Sequence, residues 1–127
     1  MLSLKGNTAP YLQYAYARMR SILREAGERQ PQVNLVVDLA DDAELALAKT
    51  LVATADATAR VAEEDEPNHL CAHLYEVAQA FSRFYEACPV LRSEEPTRSS
   101  RLVLCDATAT VLREGLALLG IDVLERL

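Results

Sequence analysis

The chain of 127 residues lacks any apolar run close to the roughly 18 residues that a membrane-spanning helix needs. Its opening, MLSLKGNTAP, lacks the apolar centre of a secretory signal, so we expect a cytoplasmic protein without membrane association. Cysteine is scarce, because only Cys71, Cys88 and Cys105 occur, widely spaced and without a C-x-x-C pair. These spacings predict reduced, partly buried thiols rather than a disulfide framework.

The sequence also lacks the motifs of common catalytic centres. It contains no phosphate-binding P-loop, no G-x-G-x-x-G turn and no G-x-S-x-G nucleophile turn. His69 and His73 stand four positions apart, a spacing that can share a metal ion, but no Glu follows His69 as in H-E-x-x-H. The pattern favours a structural pair. We therefore predict no catalytic residue, no metal and no cofactor on this chain.

Positive charge is unevenly distributed and is almost entirely arginine. The formal net charge of −6 argues against diffuse binding of nucleic acid. Residues 1–30 nevertheless carry Lys5 and four arginines against two glutamates, whereas residues 31–70 carry nine acids against two cations. A basic first segment beside an acidic middle focuses an anionic partner on one edge. Only two of the thirteen cations are lysines, and arginine suits planar, bidentate or stacked recognition.

Apolar residues recur at helical spacing along nearly the whole chain. This periodicity predicts an all-α bundle of about five helices within a single domain of residues 1–127. A loop is predicted at 1–9, the first helix at 10–27, and the last helix with its tail at 97–127. Gly27 is predicted to end the first helix, since glycine readily adopts the left-handed conformation that follows a helix.

Three further helices are predicted between these two. One begins at Asp41 or Asp42, a short one covers about 56–64, and a long one is ended by Pro89. The predicted inward residues of the first of the three are Leu45, Ala48, Leu51 and Val52. The predicted inward residues of the long helix are Leu70, Leu74, Val77, Phe81 and Phe84.

The first helix carries several rings beside arginines. At about 100° per residue, Tyr11, Tyr14 and Arg18 fall on one flank of the apolar stripe, and Tyr16 falls on its other edge. Two interpretations stay open. The rings either pack in the core with their hydroxyls at its rim, or form a stacking platform beside a guanidinium, as in the binding of unpaired bases. The second interpretation predicts an exposed Tyr11. Tyr85 lies one position beyond Phe84 and is expected to face outward, either as an ordinary surface ring or as a contact residue.

Four segments in order resemble the anticodon-binding domain of arginyl-tRNA synthetases. They are MLSLKGNTAPYLQYAYARMRSIL, LYEVAQAFSRFYEACPVL, RLVLCDATATVLREGLALLGI and the final VLERL. The resemblance spans essentially the whole chain and is weakest over 28–66. It implies the all-helical DALR-type fold of class I aminoacyl-tRNA synthetases and binding of the anticodon stem-loop of tRNA(Arg). The catalytic domain of the parent ligase, which binds ATP and Mg and attaches arginine, would be a partner absent from this chain.

The resemblance also implies which residues contact the tRNA. The loop that rearranges around the anticodon stem and loop corresponds to Ser3, Leu4, Lys5, Gly6, Asn7 and Thr8. Tyr11 corresponds to the ring that supports a displaced base, Tyr14 to a contact one turn further on, and Tyr85 to the aromatic contact of the long helix. Leu127 replaces the usual terminal methionine, so the apolar contact is kept without the thioether. We expect Tyr11, Tyr85 and the C-terminal end to border one open surface.

Two functions are compatible with the sequence. The first is anticodon-loop binding by a monomeric domain of an arginine–tRNA ligase, in which Arg18 supplies a cation beside the rings. The alternative is a helical protein–protein module that dimerises through an exposed apolar patch and binds no RNA.

Overall fold

The computed structural model of the chain describes residues 8–27, 37–64 and 67–125. Within these ranges the chain forms five α-helices and no β-strand: α1 Thr8–Glu25, α2 Asp42–Val52, α3 Thr54–Glu64, α4 Pro67–Ala87 and α5 Thr97–Leu118. The prediction of an all-α bundle of about five helices is confirmed. None of the helices in the described ranges is both long and apolar enough to span a membrane.

The ends of α1 and α5 follow from two glycines. Gly27 adopts φ 91° after α1, and Gly120 adopts φ 74° after α5. Directly after the C-terminal end of α5, the N–H of Gly120 donates to the Ala117 carbonyl at 3.0 Å, and the N–H of Ile121 donates to the Leu116 carbonyl at 2.9 Å. These two bonds satisfy carbonyls that the helix end would leave open, and they turn the chain back onto the bundle.

Helices α1 and α5 pack in antiparallel orientation. Arg98 at the start of α5 donates from Nη2 to the Ala26 carbonyl at the end of α1, at 3.3 Å. At the other end, Gln13 Nε2 donates to the carbonyl of Asp122, just beyond α5, at 2.7 Å. The chain segment after α5 therefore begins beside the first half of α1.

The core is formed mainly by α1, α4 and α5. The predicted inward stripe of α4 is confirmed, since all five of its residues are buried: Leu70, Leu74, Val77, Phe81 and Phe84. Helix α5 approaches α4 closely at Gly115, where an added Cβ would lie 2.6 Å from Cδ2 of the fully buried Leu74. All three cysteines, Cys71, Cys88 and Cys105, are buried.

Helix α2 begins with a capping box. The Asp41 side chain accepts a hydrogen bond from the Ala43 N–H at 2.8 Å, and the Asp41 N–H donates to Glu44 Oε1 at 3.0 Å. The exchange satisfies donors that a helix start leaves open. It also holds the Glu44 side chain on the inner side of α2, where only 3% of the residue is exposed.

The prediction that Leu45 and Val52 face inward is wrong. Leu45 is 38% exposed and Val52 is 78% exposed, while Leu47 is fully buried in their place. Ala48 and Leu51 do pack against the core as predicted. The difference arises because the inward Glu44 sets the rotation of α2, and Leu47 lies nearer to the face of Glu44 than Leu45 does.

Candidate nucleic-acid interface

Tyr11 on α1 contacts two side chains of α4. Its ring centroid lies 5.3 Å from that of Tyr75, with the ring planes at 41°. Gln79, one helical turn beyond Tyr75, donates from Nε2 to the Tyr11 hydroxyl at 3.0 Å. Tyr11 is therefore partly buried, and the prediction of an exposed Tyr11 is wrong. The sequence pattern of α1 alone gives no sign of this cover, since both covering side chains come from α4.

Arg18 lies over the ring of Tyr85, with its Cζ 5.5 Å from the ring centroid. Tyr85 in turn stacks on Phe81, with centroids 5.9 Å apart and planes at 15°. A cation above an aromatic face is stabilised by roughly 0.5–1 kcal/mol at an exposed site. Tyr85 is partly buried by these contacts, so the expectation that it faces freely outward is only partly met.

Among the described residues, the structure records no hydrogen-bond acceptor for the guanidinium of Arg18. Its residue is exposed, and no carboxylate of the described residues lies within ion-pair distance of it. The guanidinium thus contacts the Tyr85 ring as a cation, and its five N–H groups are hydrogen-bond donors. Arg18 is thus held in position by a ring and is able to bind an anion.

Tyr14 completes this surface as its exposed ring. It is 53% exposed and lies on the same flank of α1 as Tyr11 and Arg18, one turn from each. We call the set Tyr11, Tyr14, Arg18, Tyr75 and Tyr85 the aromatic surface. It offers the exposed ring of Tyr14 and the exposed guanidinium of Arg18, which lies over the partly buried ring of Tyr85.

The structure brings together four of the predicted tRNA contacts and leaves others undescribed. Tyr11, Tyr14, Arg18 and Tyr85 meet along the side where α1 and α4 pack. Thr8, predicted within the loop, is the first residue of α1. The remaining predicted contacts lie outside the described residues: Ser3, Leu4, Lys5, Gly6, Asn7 and Leu127. The sequence analysis missed Tyr75 and Gln79, whose four-residue spacing on one helix was the available signal.

The segment after α5 binds α1 on a different flank. Glu125 accepts a hydrogen bond from the Tyr16 hydroxyl at 3.0 Å, and its carboxylate lies 3.3 Å from Nε of Arg20. Arg24 Nη1 donates to the Glu125 backbone carbonyl at 2.9 Å. Tyr16 itself is fully buried, and burial, followed by the Glu125 contact, raises the pKa of its phenol.

At about 100° per residue, Tyr16, Arg20 and Arg24 lie across α1 from Tyr14 and Arg18. The described chain up to Glu125 therefore does not join the aromatic surface, although the sequence analysis expects the C-terminal end beside Tyr11 and Tyr85. Leu127 itself stays a prediction.

His69 and His73 lie in different environments. His73 Nε2 lies 2.9 Å from the Thr54 hydroxyl oxygen and thereby links α4 to the start of α3. Burial lowers the pKa of His73, while His69 is exposed. In the part of the chain that the structure describes, no group of three or more His, Cys, Asp or Glu side chains is placed to hold a metal ion.

A polar cavity of about 280 Å³ lies between the starts of α2 and α5, lined chiefly by Asp38, Asp41, Glu44, Thr97, Ser100 and Arg101. Its groups largely pair with one another. Arg101 Nε lies 3.2 Å from Glu44 Oε2, and the Asp38 N–H donates to the Ser100 hydroxyl at 2.9 Å. The cavity wall is a structural network that joins α2 to α5.

Comparison with known proteins places this fold in one family. Residues 12–127 match the family described as the DALR anticodon binding domain, and the chain belongs to that family. The chain is 50% identical over 129 residues to the arginine–tRNA ligase of Crocosphaera subtropica and 52% identical over 128 residues to that of Synechocystis sp.. Both alignments cover 100% of this chain and 22% of the relative.

A solved structure gives the same result. The arginyl-tRNA synthetase of Thermus thermophilus superimposes with a TM-score of 0.83 and 37% identity, over 98% of this chain and 22% of that chain. The chain thus spans about a fifth of the length of the relatives it matches. The DALR-type fold that the sequence resemblance implies is confirmed, and none of these similarities favours the alternative of a dimerising module.

Proposed function

We propose that this chain binds the anticodon stem-loop of arginine tRNA through the aromatic surface, as the anticodon-binding domain of an arginine–tRNA ligase. The observation that supports this most directly is the exposed Tyr14 ring beside the free guanidinium of Arg18. An unpaired base binds to an aromatic face, and the adjacent phosphate needs a cation.

The affinity of such a site depends on base stacking and on the charge of the chain. Stacking of one base on an aromatic ring contributes roughly 1–3 kcal/mol, so one open ring accounts for about a tenfold or greater change in affinity. The net charge of −6 opposes long-range attraction of RNA. Binding therefore depends on a few local contacts rather than on a broad basic face.

The same proposal covers the partners of the domain. The catalytic domain of the ligase would hold ATP and Mg and attach arginine to the tRNA, and we assign no catalytic residue and no cofactor to this chain. We propose that the chain acts in the cytoplasm and that the isolated domain is a monomer.

Titration of an arginine tRNA stem-loop against the chain and its variants tests the proposal. Tyr14→Ala and Arg18→Ala should each weaken binding by an order of magnitude or so, because each removes a group that is open to the RNA. Arg60→Ala is the matched control for charge, since Arg60 is an exposed arginine of α3 that pairs with Asp56.

A stem-loop with an exchanged anticodon controls for sequence recognition. Equal affinity of the unaltered chain for both RNAs, or equal loss in the Arg18 and Arg60 variants, contradicts anticodon binding at this surface. A chain that sediments as a dimer and binds neither RNA supports the dimerisation alternative.

A further inference from the structure

We infer that Gln79 on α4 sets the direction of the Tyr11 hydrogen bond, so that the Tyr11 hydroxyl donates to an acceptor atom of the bound RNA. This inference rests on the proposed RNA-binding function and adds to it a positioning residue and a hydrogen-bond polarity. Tyr11 would then contact the RNA through a hydrogen bond as well as through its aromatic ring.

The Gln79 amide and the Tyr11 phenol differ in the hydrogen bonds that they can make. A glutamine Nε2 carries only donors, whereas a phenol oxygen carries one hydrogen and also accepts hydrogen bonds. Gln79 Nε2 donates to the Tyr11 oxygen at 3.0 Å, which occupies an acceptor position of that oxygen. The hydrogen of the Tyr11 hydroxyl is not used in this bond and remains available.

No second partner consumes that hydrogen within the described part of the chain. The bond from Gln79 is the one hydrogen bond that Tyr11 makes there. A partly buried polar group with an unused donor calls for water or a ligand as its partner. An RNA acceptor that lies against this hydroxyl in the complex supplies that partner.

The surroundings fix where the hydroxyl lies. Tyr75 packs against the ring of Tyr11 with centroids 5.3 Å apart, and Gln79 holds the oxygen from the next turn of the same helix. Two contacts from one rigid element restrain both the ring and its oxygen before RNA binds. Such preorganisation lowers the entropy that is lost on binding.

The acceptor is an oxygen or ring nitrogen that carries no hydrogen. Base edges supply both kinds of atom, and the sugar–phosphate backbone supplies oxygen.

Two substitutions test the polarity. Tyr11→Phe keeps the ring and removes the hydroxyl, and it should weaken stem-loop binding about three- to tenfold, the range of a single net hydrogen bond. Gln79→Glu replaces the donating amide with a carboxylate, which accepts the Tyr11 hydrogen and withdraws it from the RNA.

The carboxylate also repels RNA, so the two changes are combined in a double-mutant cycle. Gln79→Glu in the Tyr11→Phe background measures repulsion alone, because no hydroxyl remains to be redirected. We expect Gln79→Glu to cost at least threefold more affinity when Tyr11 is present than when Phe replaces it. Helix content by circular dichroism and the thermal midpoint of each variant verify that the bundle is intact.

Stem-loops with a single abasic nucleotide distinguish the two sources of the acceptor. If the acceptor is a base, the penalty of Tyr11→Phe disappears for one abasic position. If it persists at every position, the acceptor belongs to the backbone. Either result supports the donated hydrogen bond.

Unchanged affinity in Tyr11→Phe, or the same cost of Gln79→Glu in both backgrounds, overturns the inference. The inference fails and the proposed function stands if the unaltered chain binds the stem-loop and Tyr14→Ala weakens binding while Tyr11→Phe does not. It fails together with the proposed function if the unaltered chain does not bind the stem-loop.

Discussion

Glu44 on α2 and Arg101 on α5 form a nearly buried ion pair, with Arg101 Nε 3.2 Å from Glu44 Oε2. Only 4% of the Glu44 side chain and 16% of the Arg101 side chain are exposed. Arg101 also donates from Nη1 to the Pro89 carbonyl at 2.6 Å and to the Ser93 hydroxyl at 3.0 Å. One arginine therefore connects α2, α5 and the loop after α4.

Removal of Arg101 should destabilise the bundle strongly. Arg101→Met leaves the Glu44 carboxylate buried without its cation, a loss of about 3 kcal/mol or more in the free energy of unfolding. Urea unfolding measures this loss. The double variant with Glu44→Gln should recover part of the stability, because no buried charge remains. A loss below about 1 kcal/mol in Arg101→Met would show that the pair behaves as a solvated one.

Gly115→Ala should also destabilise the fold, although alanine is the better helix former. The new Cβ would lie 2.6 Å from Leu74 Cδ2, and Leu74 is fully buried with little room to move. Overpacking of this kind costs about 1–3 kcal/mol, against a helix-propensity gain of roughly 1 kcal/mol. We expect Gly115→Ala to lower the urea midpoint and Leu74→Val to restore part of that loss. A raised midpoint in Gly115→Ala contradicts the close approach of α4 and α5.

Stability should fall in alkaline solution because of Cys105. Burial raises the pKa of this thiol to about 12 from its ordinary value of 9.0. The folded state therefore holds the proton where the unfolded state releases it, and the stabilisation present below pH 9 is lost as the pH rises towards 12. At a pH of about 10.5 the loss is about 2 kcal/mol.

Urea unfolding between neutral pH and this range, with a reductant present, measures the effect. Cys105→Ala lowers stability at every pH through the lost packing, but its decline with pH should be shallower. Parallel pH profiles for the two proteins would assign the decline to other groups, such as the buried phenol of Tyr16.

Arg18 should account for one ionic contact in the salt dependence of RNA binding. If its guanidinium binds a phosphate of a single-stranded loop, Arg18→Gln reduces the slope of log affinity against log salt by roughly 0.7. Arg60→Gln makes the same charge change on α3 and should leave the slope unaltered. Arg18→Lys keeps the charge and the slope but replaces the planar, bidentate guanidinium with a compact ammonium, so its affinity should fall at all salt concentrations.

The order of residue types predicts the helices and much of the core. The α4 stripe and the two glycine-ended helices follow from interactions between residues only a few positions apart, and these are visible in the order of residue types. The flank of α1 that carries Tyr11, Tyr14 and Arg18 follows from the same short-range geometry. Each of these features depends on one helix, and the period of that helix is known in advance.

How these helix faces are covered depends on contacts between residues that are far apart in the sequence. Glu44 turns inward because Arg101 lies 57 positions away in sequence but beside it in space, and Tyr11 is covered because Gln79, 68 positions away, bonds to its hydroxyl. The docking of Glu125 on Tyr16 joins residues 109 positions apart. Such contacts depend on how helices pack against one another, and the periodicity of a single helix does not contain that information.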